Sequence, residues 1–213
     1  MKKLLHIVDM QNDFVLKNGR LAVAGAAELI RPANAFLRDA RFDKTIATMD
    51  THDRREYKNS DEGKMFPIHC IYGTRGWQSA IDIRQPYTIV KKNVFDVWQS
   101  SAKFMERELI GFDPEKTAYE SYMMGDDHGG SPMGWGTRPY TVPATCEVYL
   151  FGVASDFCVR YAIDGYLKRG YEVFVITDLC RGIENQIDAV AAEFNNQKLH
   201  LITTKGATHA KQY

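Results

Sequence analysis

The sequence predicts an α/β fold: a doubly wound, mostly parallel six-stranded sheet with helices on both faces. Three observations predict it. Strand-length apolar runs recur at 4–8, 44–49, 87–91, 147–153, 172–177 and 198–203. They are apolar nearly throughout, as strands covered on both faces must be. Helix-period segments at 26–38, 99–110, 156–169 and 187–195 separate several of them, and such alternation favours a parallel sheet. At 213 residues the chain is long enough for a substantial core, and residues 1–213 are expected to form one domain.

Taken in order, the first run is Leu4-Leu5-His6-Ile7-Val8, and Asp9 follows it. Its apolar part is too short for an export signal. The second run ends at Asp50 and leads into 51–74, a loop rich in charge, histidine and glycine. The third ends at Lys91-Lys92. The connection 112–145 carries five glycines and four prolines and reads as a long insertion, the kind of loop that is usually functional or mobile. Asp126, Asp127 and His128 within it read as an exposed polar turn. The fourth run ends at Gly152-Val153, and the segment after it has Val159, Ala162, Ile163, Tyr166 and Leu167 on one helix face. Ser155 or Asp156 is positioned to cap that helix, and Gly170 to end it. Arg181-Gly182, after Asp178 and beyond the fifth run, reads as a turn.

Composition excludes several classes. Acidic and basic residues balance at 27 each, which argues against a nucleic-acid partner. No apolar run reaches membrane-spanning length. Cysteines 70, 146, 158 and 180 are far apart with no CxxC pair, so reduced thiols in a cytoplasmic protein are expected. Cys70, Cys146 and Cys180 read as packing residues.

In a parallel sheet, ligands gather outside the carboxyl ends of the strands, and the polar residues at those ends form a constellation. Cys158 falls in the first turn of a helix, where amide N–H groups and the macrodipole favour a thiolate. Asp9 beside it would accept the thiol proton and return it to a leaving group. One of Lys91 and Lys92, but not both, should point into the site, because successive strand side chains face opposite ways. Asp50, His52, Glu62 and His69 offer two carboxylates and two imidazoles, a donor set suited to zinc, manganese or iron(II).

With these residues in place, the chain resembles the cysteine hydrolase superfamily of nicotinamidases, pyrazinamidases, N-carbamoylsarcosine amidases and isochorismatases, most of all the nicotinamidases and pyrazinamidases. The resemblance rests on Val8-Asp9-Met10-Gln11-Asn12-Asp13-Phe14, Asp50-Thr51-His52, Phe66-Pro67-Ile68-His69-Cys70, Lys92-Asn93-Val94-Phe95 and Gly152-Val153-Ala154-Ser155-Asp156-Phe157-Cys158-Val159. It implies a Rossmann-like, isochorismatase-like hydrolase fold and a catalytic triad of Asp9, Lys92 and Cys158. Lys92 is preferred to Lys91 because the family lysine stands three positions before an aromatic, here Phe95. The resemblance further implies an oxyanion hole from the amides of Ala154 and Cys158, with a cis peptide before Ala154.

It also implies one divalent metal ion, zinc first, with manganese or iron as alternatives. The ion would be held by Asp50, His52, Glu62 and His69, with Glu56 or Asp61 as substitutes for Glu62. Phe14, Phe66, Phe95, Val153 and Phe157 would line the substrate site. Position 66 is often tryptophan in the family, and the 112–145 connection is longer than usual; both bear on substrate identity. The expected activity is hydrolysis of a small heteroaromatic amide to the acid and ammonia through a Cys158 thioester, as in NAD salvage, by a homo-oligomer. The alternatives are an amidase acting on N-carbamoyl or ureido compounds, a metallohydrolase in which Cys158 is structural, and a catalytically silent small-ligand-binding relative.

Overall fold

The structure, a computed structural model, describes residues 2–85, 87–99, 107–110 and 146–209. The 112–145 connection, with Asp126, Asp127 and His128, lies outside the described residues. Seven strands form one sheet: β1 (Lys2–Val8), β2 (Lys44–Asp50), β3 (Tyr87–Lys92), β4 (Arg107–Ile110), β5 (Cys146–Val153), β6 (Glu172–Arg181) and β7 (Leu199–Ile202). Their spatial order is β4-β3-β2-β1-β5-β6-β7. The six expected strands are all present and parallel, and β4 adds an antiparallel edge beside β3. Strand order reverses between β1 and β5, which makes the crevice beyond Val8 and Gly152 the switch point where such sheets bind ligands.

The helices are α1 (Asn12–Val15), α2 (Ile30–Asp39), α3 (Asp61–Met65), α4 (Arg160–Lys168), α5 (Ile187–Ala192) and α6 (Thr204–His209). The segment expected as one helix over 26–38 is a 3-10 turn, Ala26–Leu29, that continues into α2. Pro32 falls in the first turn of α2, where its missing N–H costs nothing. The helix expected over 99–110 is corrected: residues 107–110 are strand β4, paired from Val90↔Arg107 to Tyr87↔Ile110. The open ladder of β3 outweighs the helical period of a short segment.

Of the turn expected at Arg181-Gly182, Arg181 is the last residue of β6, which runs on to it after a register shift against β5. Asp178 is a strand residue there, and its carboxylate accepts from Thr204 N and Oγ1 at the start of α6. Both faces of the sheet are buried, with Leu4, Ile7, Val148, Leu150, Phe151, Val173 and Val175 fully enclosed. Helix α4 packs Ala162, Ile163, Tyr166 and Leu167 inward, and Gly170 ends it in the left-handed region at φ +83°. Gly152 allows the closest approach at the switch point: a Cβ there would meet Val8 O at 1.9 Å. All four cysteines are free and buried. None of the described helices is long and apolar enough to cross a membrane.

Candidate active site and metal centre

Four strand ends supply the site. The β1 ladder stops at Val8, and Asp9 turns into the left-handed region at φ 47°, which throws its carboxylate into the crevice. Lys92 closes β3 and reaches across: its Nζ lies 2.7 Å from Asp9 Oδ2, 3.4 Å from Cys158 Sγ and 3.6 Å from Asp50 Oδ1. Lys91 points to the other face, with its Nζ 4.4 Å from the Tyr72 ring centre. The structure therefore brings Asp9, Lys92 and Cys158 together and leaves Lys91 out, as strand alternation requires.

Cys158 does not sit in an ordinary first helical turn. Ser155–Val159 is a π-type turn that runs into α4, with Phe157 N and Val159 N both donating to Ala154 O at 3.1 Å. Neither Ser155 nor Asp156 is the N-cap: Ala154 holds that position, with no side-chain cap bond. The Val153–Ala154 peptide is cis. Burial pushes the Cys158 thiol well above its ordinary value; Lys92 pulls it down, while Asp9 and Asp50 push it further up. This reverses the expectation of a resting thiolate from the helix dipole alone. Burial also raises Asp9, against the pull of Lys92 and with the push of Asp50. Burial would lower Lys92, but Asp9, Cys158 and Asp50 together hold it well above its ordinary value, so its ammonium stays charged.

The second cluster adjoins the first. Asp50, His52, Glu62 and His69 are all buried, with one donor atom from each lying within 4.8 Å of the others. Asp50 ends β2 and His52 follows two residues on. Glu62 is delivered by α3, whose N-cap Ser60 Oγ accepts from Gly63 N at 3.0 Å. Asp61 instead faces solvent against Lys64, and Glu56 is exposed. His52 Nε2 is 2.8 Å from Asp50 Oδ2, and His69 Nε2 is 3.1 Å from the same oxygen and 3.3 Å from Glu62 Oε1. His69 Nδ1 donates to Pro67 O at 2.7 Å, which turns Nε2 inward toward Asp50 and Glu62 and would leave it free to bind a metal once it has lost its proton.

Charge tests whether a cation fits. The carboxylates of Asp9, Asp50 and Glu62 are all buried, and the Lys92 ammonium reaches Asp9 and Asp50; a carboxylate-rich buried cluster of this kind suits a divalent ion. Glu62 Oε2 also has no hydrogen-bond partner among the described residues. With protein groups alone, the imidazoles take up the balance. Burial would lower them, but Asp50 and Glu62 raise His52 to about 9 and His69 to about 10. The donor set fits a divalent metal ion.

Phe66, Phe95 and Phe157 cluster together, with ring centres 5.2 Å (Phe66–Phe157), 5.3 Å (Phe95–Phe157) and 6.3 Å (Phe66–Phe95) apart. All three are half-buried. Phe14 is buried against His69, 5.1 Å between centres, so it backs the metal cluster. Val153 lies wholly within the core.

Three supporting residues escaped the sequence reading. Gln11 is fully buried; its Nε2 donates to Asp50 O and Trp77 O at 2.8 and 2.9 Å, and its Oε1 accepts from Asp50 N at 2.7 Å. Its side-chain amide thus acts as one more rung of the ladder after β1 has turned away. Tyr57 Oη lies 3.2 Å from His69 Nδ1 and 3.1 Å from Phe66 O and Pro67 O. Asp13 accepts from Cys70 N at 2.8 Å and so holds the segment that carries His69. Gln11 and Asp13 stand in the same short motif as Asp9, and this was the available signal.

Comparison with known proteins agrees with this geometry. The profile of the Isochorismatase domain family matches residues 3–107. The nicotinamidase/pyrazinamidase of Mycobacterium tuberculosis is 29% identical over 195 residues, covering 90% of this chain and 92% of that protein. The nicotinamidase of Saccharomyces cerevisiae is 26% identical over 226 residues, covering 94% and 97%. Among solved structures, the Pyrococcus horikoshii pyrazinamidase in complex with zinc superposes with a TM-score of 0.64 at 23% identity, covering 95% of this chain and 99% of that one. PnC1 from L. infantum in complex with nicotinate superposes at 0.67 and 21%, covering 96% and 93%. In the segment the family profile matches, in its curated relatives and in its fold, the chain is similar to isochorismatase-like proteins named as nicotinamidases and pyrazinamidases.

Proposed function

We propose that the protein is an amidohydrolase that converts a small heteroaromatic amide to its acid and ammonia through a thioester on Cys158. The observation that carries this reading is the convergence of Asp9, Lys92 and Cys158 at the switch point: Lys92 Nζ is 2.7 Å from the carboxylate and 3.4 Å from the sulfur. Kinship with nicotinamidases and pyrazinamidases supports the amide bond as the target.

A neutral resting thiol beside a carboxylate of raised proton affinity sets the first step. As Sγ attacks the carbonyl carbon, Asp9 takes the thiol proton and then passes it to the departing amine, which leaves as ammonia. Negative charge on the substrate oxygen is met by the Ala154 and Cys158 amides. Water then attacks the thioester, with Asp9 again taking a proton, and the acid leaves as Cys158 regains its hydrogen. Lys92 remains charged throughout and keeps Asp9 and Sγ within reach of each other.

Asp50, His52, Glu62 and His69 would hold the metal ion, zinc by preference for this mixed donor set. When bound, it would supply a Lewis-acidic anchor for a ring nitrogen or water at the substrate end of the site. Phe66, Phe95 and Phe157 would flank a flat ring. Replacing Cys158 by Ala is expected to abolish ammonia release from nicotinamide while leaving metal content and melting temperature near wild type. Undiminished release from Cys158→Ala would sink the thioester and favour a metallohydrolase.

A further inference from the structure

Asp156 stands two residues before Cys158 in the π-type turn, yet it neither caps that turn nor joins the triad. Its carboxylate leaves the turn for the loop after β6. Oδ1 accepts from Ile183 N at 2.9 Å, and Oδ2 accepts from Glu184 N at 2.7 Å and Asn185 N at 3.0 Å. Three successive amides on one carboxylate form an anion-holding nest. Burial works against ionisation here, but these donors keep Asp156 below the usual carboxylate range. The loop is also sterically fixed: a Cβ on Gly182 would fall 1.8 Å from Asn185 O and 3.2 Å from Asp156 Oδ1. It begins beside Arg181, the residue paired with Val153, which supplies the carbonyl of the cis bond. A second tie lies on the same side, where Arg160 Nε meets Glu193 Oε2 at 2.7 Å.

We infer that Asp156 is a positioning residue for the reaction, clamping the Ser155–Val159 turn to the loop at 182–185. The clamp fixes the Cys158 sulfur and the oxyanion-binding amides relative to Asp9 and Lys92. A π-type turn is a rare, weakly self-supporting geometry, and charge-assisted bonds to three amides are strong enough to impose it. The inference rests on the reading of Cys158 as nucleophile.

The test is a set of metal-loaded variants assayed for ammonia release from nicotinamide: Asp156→Ala, Asp156→Asn, Gly182→Ala, the double variant Asp156→Ala/Gly182→Ala, and Cys158→Ala. Asp156→Ala and Gly182→Ala should each lower kcat by about 100-fold through misplacement of the reacting atoms. KM should stay within about threefold, because the ring contacts persist, and metal per chain should not change. Asp156→Asn should fall between wild type and Asp156→Ala, since one carbonyl oxygen still accepts; it decides the matter if Asp156→Ala does not fold. The double variant should be no slower than the worse single one, as members of one clamp do not add. A kcat near wild type in folded Asp156 variants, even with a lowered melting temperature, would overturn the clamp, as would losses that multiply in the double variant. The two readings separate cleanly. An active Cys158→Ala removes the nucleophile assignment, whereas an inactive Cys158→Ala beside a fully active Asp156→Ala removes only the clamp.

Discussion

At the scale of single residues, chemistry follows from where charge is buried. Asp9 and Cys158 are both pushed by burial toward their protonated forms, so the proton that must move already lies between the two groups that exchange it. Asp9→Asn keeps the shape and removes the base. It should cut kcat by about a thousandfold, the range of a lost general acid–base, with metal content unchanged on elemental analysis. A second residue-scale prediction concerns His6, enclosed between Thr48 and Tyr166 at 3.3 and 3.1 Å. Burial, with help from Lys92, lowers it to about 3. Below pH about 6.5 the unfolded chain accepts a proton that the folded chain refuses. Stability should therefore fall as pH drops from there toward 3, by up to about 1.4 kcal/mol per pH unit, and be fully present above that window. Denaturant melts should show a shallower acid slope for His6→Gln; equal slopes would contradict the assignment. Asp9, Cys158 and the Lys91-Lys92 pair were legible as candidates because each closes or follows an apolar run, and the resemblance alone chose Lys92. Gln11 was not, because a side chain that imitates a peptide unit leaves no periodic trace.

At the scale of elements, the site depends on where strands stop. β1 turns away at Asp9, and the Gln11 side chain takes over the pairing with Asp50. Gln11→Ala leaves the buried N–H and C=O of Asp50 without that partner, which costs about 1–3 kcal/mol. Because Asp50 is a ligand candidate, metal affinity should also fall by about 10–100-fold, as for other supporting partners of ligands. Competition with a fluorescent chelator measures the second effect, and unchanged affinity would show that Asp50 holds its place without Gln11. Gly152→Ala should prevent folding, since its Cβ would meet Val8 O at 1.9 Å and φ is +144°; the assay is soluble yield and circular dichroism. The sequence was informative where period and burial agree, as in β1, β2, β5 and α4. It misled at 99–110, where the exposed edge of β3 recruits β4, and at Arg181, where β6 outruns its apolar core. Those outcomes depend on a neighbouring strand and cannot be read from the segment itself.

At the scale of the whole molecule, the doubly wound sheet explains why residues far apart in sequence meet. Strands β1, β2, β3 and β5 point the same way, and their ends face one crevice, so Asp9, Asp50, Lys92 and the Cys158 turn arrive together. Metal removal should be felt globally. An ion that binds the folded state alone stabilises it by about 2.7 kcal/mol at a hundredfold excess over Kd, so chelation should lower the melting temperature and reconstitution restore it. Affinity should tighten as pH rises, because His52 and His69 are held protonated up to about 9 and 10 by Asp50 and Glu62 and must lose those protons to bind.

The most direct measurement is acid quench of the metal-loaded protein during turnover of nicotinamide, followed by peptide mass spectrometry. One acyl group should be found as a thioester on the peptide carrying Cys158, with ammonia released in equal amount in the first turnover. Steady ammonia release with Cys158 unmodified at every quench time, and with full activity retained in Cys158→Ala, would contradict the account.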